Sequence, residues 1–256
     1  MKNVKRILKA LAVLAFWLLV WSAAARLTGR ELLLPGPLSV LRRLAELCVS
    51  AQFWRTTAVS LLRILLGAAA ALIAGTVLAV LTSRYALLRS LFSPLLTIIK
   101  STPVASFIIL ALVWLGRDIL PAFITLLMVL PVVWSNVSAG IAETDVRLLE
   151  MAKVFGFSPL KKLRTIYIPS VSPYFASACR SALGLGWKAG IAAEVLTVPS
   201  VSIGKNLYEA KLYLDTPGLF AWTLTVIICS LVIEKILVAG VVYLENRRGK
   251  GGNSHA

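Results

Sequence analysis

The chain is poor in charge and poorer still in acid. Only 15% of its 256 residues are charged, and Asp and Glu together number 11. A soluble domain carries about 25% charged and about 45–50% apolar residues, whereas 59% of this chain is hydrophobic. That much apolar surface excludes a single soluble core, and that little charge excludes a disordered chain. Lipid must be the solvent for much of it. The single histidine, His255, stands next to the last residue, which argues against a His-based catalytic centre. Cys48, Cys179 and Cys229 form no CxxC pair and no metal-ligand spacing, so no metal site is expected. A G-x-x-x-x-G-K-[ST] loop is also missing, since Gly204-Lys205 is followed by Asn206 and lacks the upstream glycine. Without a phosphate cradle and a Mg²⁺-holding hydroxyl, the chain should bind no ATP in the manner of a P-loop ATPase.

Basic residues are plentiful: Lys and Arg number 27, for a net charge of +16. Apolar runs divide them into short loops, the pattern of a multi-pass membrane protein rather than of a nucleic-acid binder. A bilayer span needs about 20 residues. About six spans are expected, at 8–25, 64–83, 91–115, 119–142, 173–198 and 219–244, in one all-α membrane domain covering 1–256. Ser22-Ala-Ala-Ala25 resembles a signal-peptide cleavage site, but the later spans favour an uncleaved first helix. A cytoplasmic N-terminus puts Lys9, Arg84, Arg89, Arg147, Lys153, Lys161, Lys162, Arg164 and Arg248 inside, the richer side, so both termini are expected in the cytoplasm. In the outer loop, Val40–Leu47 has helical spacing and is expected to lie along the outer surface.

Two ridges of small residues recur every four positions: Gly67, Ala71, Gly75 and Ala79, then Ala178, Ala182, Gly186 and Gly190. Such ridges let helix backbones approach closely. Packing within one subunit is the simpler reading, and contact between two subunits is the other.

The segment 143–170 is too polar to cross a membrane. Thr144 or Asp145 can cap a short helix through Phe155, and Gly156 sits where a positive φ is wanted. Ser158 and Pro159 can open a second helix to about Tyr167, with Pro169 and Pro173 leading into the next span. Lys161, Lys162 and Arg164 face lipid headgroups or an acidic partner on this reading.

Glu150-Met151-Ala152, then Gly156, then Ile166-Tyr167-Ile168-Pro169 resembles the EAA loop of bacterial ABC-importer permeases, with Met151 and Ile168 as mild departures. Leu34-Pro-Gly-Pro37, Ser60-Leu-Leu-Arg63, Lys100-Ser-Thr-Pro103, Ala193-Glu194 and Ser202-Ile203-Gly204 resemble the nitrate, taurine and alkanesulfonate branch. Lys188 departs from it. The resemblance implies a type I importer permease fold in a bacterial plasma (inner) membrane. It implies a second permease copy, two P-loop ATPase subunits and an extracytoplasmic substrate-binding protein. The permease itself would hold no cofactor and do no covalent chemistry, ATP being bound by the partner. Glu150, Ala152, Gly156 and Pro169 would couple to the ATPase. The substrate would be a small organic or inorganic anion, with a heterocyclic vitamin precursor as the alternative. An ion-coupled secondary transporter and an intramembrane enzyme are the rivals, and neither explains an organised inner loop.

Charges within spans are costly and usually face protein or water. Lys100, Lys188 and Glu194 are candidates for the translocation path. Lys100 also suits snorkelling, and Lys188 a buried pair, for instance with Glu234. Glu194 suits either pairing or outer gating. Lys188 and Glu194 point about 120° apart on one helix, so they do not pair with each other. Arg180 is expected to snorkel inward, and Trp187 to flank a path.

Overall fold

A computed structural model describes the backbone of residues 2–251 and the side chains of Arg6, Leu8, Lys9 and 11–236. The expectations for Arg248 and His255, and for the side chains after 236 in the last span, fall outside these. Among the described residues there are helices and no strands. Four helices are long and apolar enough to cross a membrane: α1 (Lys2–Thr28), α3 (Ala51–Arg84), α6 (Leu120–Ala142) and α11 (Thr216–Gly251). A fifth is possible if the bent pair α4 (Ala86–Ser101) and α5 (Val104–Ala111) counts as one span.

The expected third span is therefore not one rod. Its two pieces meet at 106°. Pro103 has no N–H to give, and Thr102, the residue before it, is extended with φ −84° and ψ 133°, the conformation that a following proline imposes. Helix α9 (Ile168–Thr197) spans 30 residues, a length that suffices to cross, yet it falls short of the apolar composition of the other four. Small residues form its buried face, and Ser177, Arg180, Ser181 and Lys188 lie on its exposed one.

The core is a stack of α3, α6 and α9, with α6 in the middle. Both small-residue ridges lie against α6. Ala71, Ala79, Ala178 and Ala182 are fully buried around Val129, Val133 and Val137. At Gly67 the backbone of α3 touches that of α6 at Ala122, and Gly190 meets Ile64 and Thr125. The ridges thus pack within one subunit. Dispersion between closely fitted backbones supplies the attraction that lipid does not.

The loop expected outside forms α2 (Pro37–Val49), longer than the expected Val40–Leu47. Val40 is buried, and Leu44 and Leu47 pack on Phe53 and Trp222. Arg43 on its polar side pairs with Asp215 at 2.9 Å, a hydrogen bond that holds its pKa above the ordinary value. Helix α1 is different. None of its apolar window is buried in this chain. Trp21 ties its C-terminal end down, donating to the Pro35 carbonyl at 3.0 Å and stacking on Phe220.

Candidate functional site

The segment between α6 and α9 folds as its capping residues direct. Asp145 caps α7 (Val146–Val154) by accepting from the Arg147 N–H at 2.8 Å. Thr144, the other candidate, is buried with its hydroxyl on the Gly140 carbonyl. After α7 the chain reverses at Gly156, φ +62°. The Phe157 N–H reaches back to the Ala152 carbonyl at 2.9 Å and the Gly156 N–H to Lys153 at 3.2 Å, which satisfies the last carbonyls of the helix. Ser158 then caps α8 (Pro159–Lys162) through the Lys161 N–H.

The second helix, expected to end near Tyr167, does not end there. From α8 the helix continues through a π turn, Leu163–Tyr167, directly into α9. The Ile168 N–H bonds five residues back to Leu163. This widened turn accommodates Pro169, which has no N–H for a regular helical bond.

Ala152 is fully buried and anchors α7, whereas Glu150 is exposed. Around Glu150 the loop displays apolar side chains: Val154 is 83%, Phe155 72% and Leu160 60% exposed. Lys161 lies 3.9 Å over the Phe157 ring, so its charge is partly used inside the loop.

A second cluster lies at the opposite end of α9. Glu194 is completely buried and receives Arg63 Nη1 at 2.7 Å. Its other oxygen accepts from the Ser60 hydroxyl at 2.8 Å and the Gly204 N–H at 3.2 Å. Ser60 in turn accepts from the Ile203 N–H at 2.8 Å. Arg63 extends outward to the Val201 carbonyl and, at 3.6 Å, to Asp118. Asp118 takes both the N–H and the hydroxyl of Ser200. Val198, which ends α9, is held left-handed at φ 48°, an outlier for a β-branched residue. Ser60–Arg63, distant in sequence, thus joins Glu194 and Ser202–Gly204 in one junction that seats α10 (Ile203–Leu212) on α3 and α9.

Of the two roles open for Glu194, pairing is the one its surroundings fit. A fully buried carboxylate held by three donors lines no open path in this chain. Arg63 is the residue that sequence reasoning missed. Ser60-Leu-Leu-Arg63 stood out as a motif, but nothing in one sequence links position 63 to position 194. Lys100 is exposed at the end of α4, its ammonium 6.0 Å from the Trp134 ring. Lys188 is exposed and has no acidic partner among the described residues, so it is not paired with Glu234. Arg180 and Glu234 instead line one cavity between α9 and α11. Trp187 is buried, and donates to the Val226 carbonyl at 3.2 Å. It fastens α9 to α11, and its ring walls that cavity rather than standing open to a path.

Residues 67–250 match the family described as binding-protein-dependent transport system inner membrane component. The chain belongs to that family. An ABC transporter permease protein of Brucella melitensis is 30% identical over 80% of this permease and 84% of its own length. The taurine transport system permease of Escherichia coli is 25% identical over 90% and 86%. The bicarbonate transport system permease of Synechocystis is 31% identical over 62% and 56%. The permease is a multi-pass inner-membrane protein of the type I importer fold, and its role is transport.

Proposed function

We propose that this permease pairs with a second copy of itself, that two P-loop ATPase subunits dock on residues 143–170, and that an external binding protein delivers the solute. The exposed apolar knuckle of Val154, Phe155 and Leu160 carries the docking reading. Large side chains that far out of their own fold mark a surface for another protein, and Glu150 stands beside them. The termini and this loop face the cytoplasm, and α9 is the remaining span. ATP is bound and hydrolysed by the partner, and the permease itself holds no cofactor.

The loop is tested at Gly156. No atom crowds a Cβ there, so its φ of +62° is the sole constraint. Gly156→Val costs about 1–3 kcal/mol locally, tilts α7 against α8 and should abolish co-purification of the ATPase. Gly156→Asn, a residue that tolerates this φ, should keep it. Equal ATPase recovery with both variants would refute the docking reading.

The solute is a small anion, organic or inorganic. Relatives named for taurine and bicarbonate support this, as does the free face of α9. Ser177, Ser181, Gly184 and Lys188 form one exposed stripe, too polar to favour lipid. We assign it to the translocation path. Lys188→Met should lower uptake at least tenfold and leave the melting temperature unchanged, because no carboxylate is stranded. Unchanged uptake would remove Lys188 from the path.

A further inference from the structure

Helices α3 and α9 touch through the cluster of Ala68, Cys179 and Leu183. Beyond that cluster they part over α6, and a crevice of about 710 Å³ opens between them. Thr76, Val80 and Arg84 of α3 form one wall, Leu163 of the π turn and Phe175 of α9 the other, and Ile141 of α6 the floor. The Thr76 hydroxyl is spent on the Leu72 carbonyl at 2.7 Å, so it adds no free donor to an apolar slot. Arg84 is the last residue of α3, one of the helices apolar enough to span. The crevice therefore opens at a membrane surface. From Arg84 to Thr76 it runs about 12 Å inward, at about 1.5 Å per residue.

We infer that this crevice seats one acyl chain of an anionic phospholipid, with Arg84 holding the phosphate at its mouth. Arg84 is the one charged group among the described residues that line it. A cation at the interface above an apolar slot between spans suits an anionic headgroup, and the planar guanidinium fork suits a phosphate. At about 30 Å³ per water-sized group, 710 Å³ holds roughly 24 such groups, room for one chain with its ester and not for two. The solute has no part in it. At about 100° per residue, Phe175 stands about 180° around α9 from Gly184 and about 140° from Lys188, so the crevice faces away from the stripe assigned to the path. A docked ATPase leaves it open too, since Val154, Phe155 and Leu160 do not line it and the slot runs to hydrocarbon depth. A chain seated there packs on the π turn and braces the start of α9 against α3.

The test takes the full-length permease in mixed micelles with dioleoylphosphatidylglycerol or dioleoylphosphatidylcholine, and counts retained lipids by native mass spectrometry. The wild type should retain one phosphatidylglycerol per chain in preference to phosphatidylcholine. Arg84→Gln should cut that preference about fivefold, the worth of one basic residue at an anionic surface. Val80→Trp, which fills the slot with an indole, should lower retention of both lipids. Arg89→Gln removes an exposed arginine that does not line the crevice and should change nothing. Equal losses from Arg84→Gln and Arg89→Gln would reduce the effect to general surface charge and overturn the assignment. So would retention unchanged by Val80→Trp; if that variant instead splits a dimer in the same spectra, the crevice is a subunit contact. Glycerol phosphate, a headgroup without a chain, should not displace the lipid, and displacement would leave an anion site in place of a lipid site. Should a variant fail to fold, a phosphatidylglycerol with a photoreactive group at mid-chain tests the wild type alone. Its adducts should fall between Leu163 and Phe175, and adducts confined elsewhere would overturn the inference.

Discussion

Arg63→Met should lower stability by about 3–5 kcal/mol, the cost of stranding a buried charge. Glu194 has no solvent to turn to, being fully buried. The Ser60 hydroxyl and the Gly204 N–H remain near it, but neither neutralises a carboxylate. The double variant Arg63→Met, Glu194→Gln should recover much of the loss, because the amide needs no counter-charge. Melting midpoints of the wild type, both singles and the double complete the cycle. Additive losses, or an Arg63→Met midpoint equal to wild type, would show that the pair is not what holds this end together. The outer arm from Arg63 to Asp118 should contribute little. Asp118 is 59% exposed, and exposed pairs give about 0–1 kcal/mol.

Gly204→Ala should be nearly as damaging, although it adds one methyl group. A Cβ there would overlap the Cβ and the backbone of Glu194. Backbone cannot swing aside as a side-chain tip can, so α10 must lift from α9. The junction then loses the Gly204 and Ile203 N–H bonds together. Overpacking of this kind costs about 1–3 kcal/mol, and the broken bonds add to it. Gly116→Ala is the control, since open space surrounds that position. A shared melting temperature for the two alanine variants would contradict the close approach.

How much of this was legible in the sequence follows from the range of each interaction. Gly156, Asp145 and Ser158 act within a few residues, and their caps and turn formed as their chemistry requires. The four-residue ridges were legible too, because helical periodicity places them on one face. Their partner was not, since neither ridge records that α6 lies between them. The Glu194 site was half legible: a carboxylate within a span demands a partner, but Arg63 is 131 positions away, and only the fold joins them. The prolines were legible only in part. The run 91–115 was expected as one span, and at Pro103 the chain turns through 106°. The second loop helix was expected to stop near Tyr167, before Pro169, and the π turn carries it on into α9. The local rule names the missing hydrogen bond and not the geometry that replaces it.

That π turn has a mechanical consequence. Because α8 runs on into α9 without a loop, Pro159 to Thr197 is one continuous rod, and at about 1.5 Å per residue it is close to 60 Å long. One end carries the exposed Leu160, and the other carries Glu194 and the clasp around it. The rod is gripped over the half nearer Thr197, where Ala178, Ala182, Gly186 and Gly190 bed against α6 and α3. A beam held over that length tilts only with the helices that hold it. A push at Leu160 reaches Glu194 as a turning moment on that grip, less whatever bending occurs where Pro169 and Pro173 have removed two backbone bonds. The compliance of that short stretch sets how much of a push on one end of the rod reaches the other.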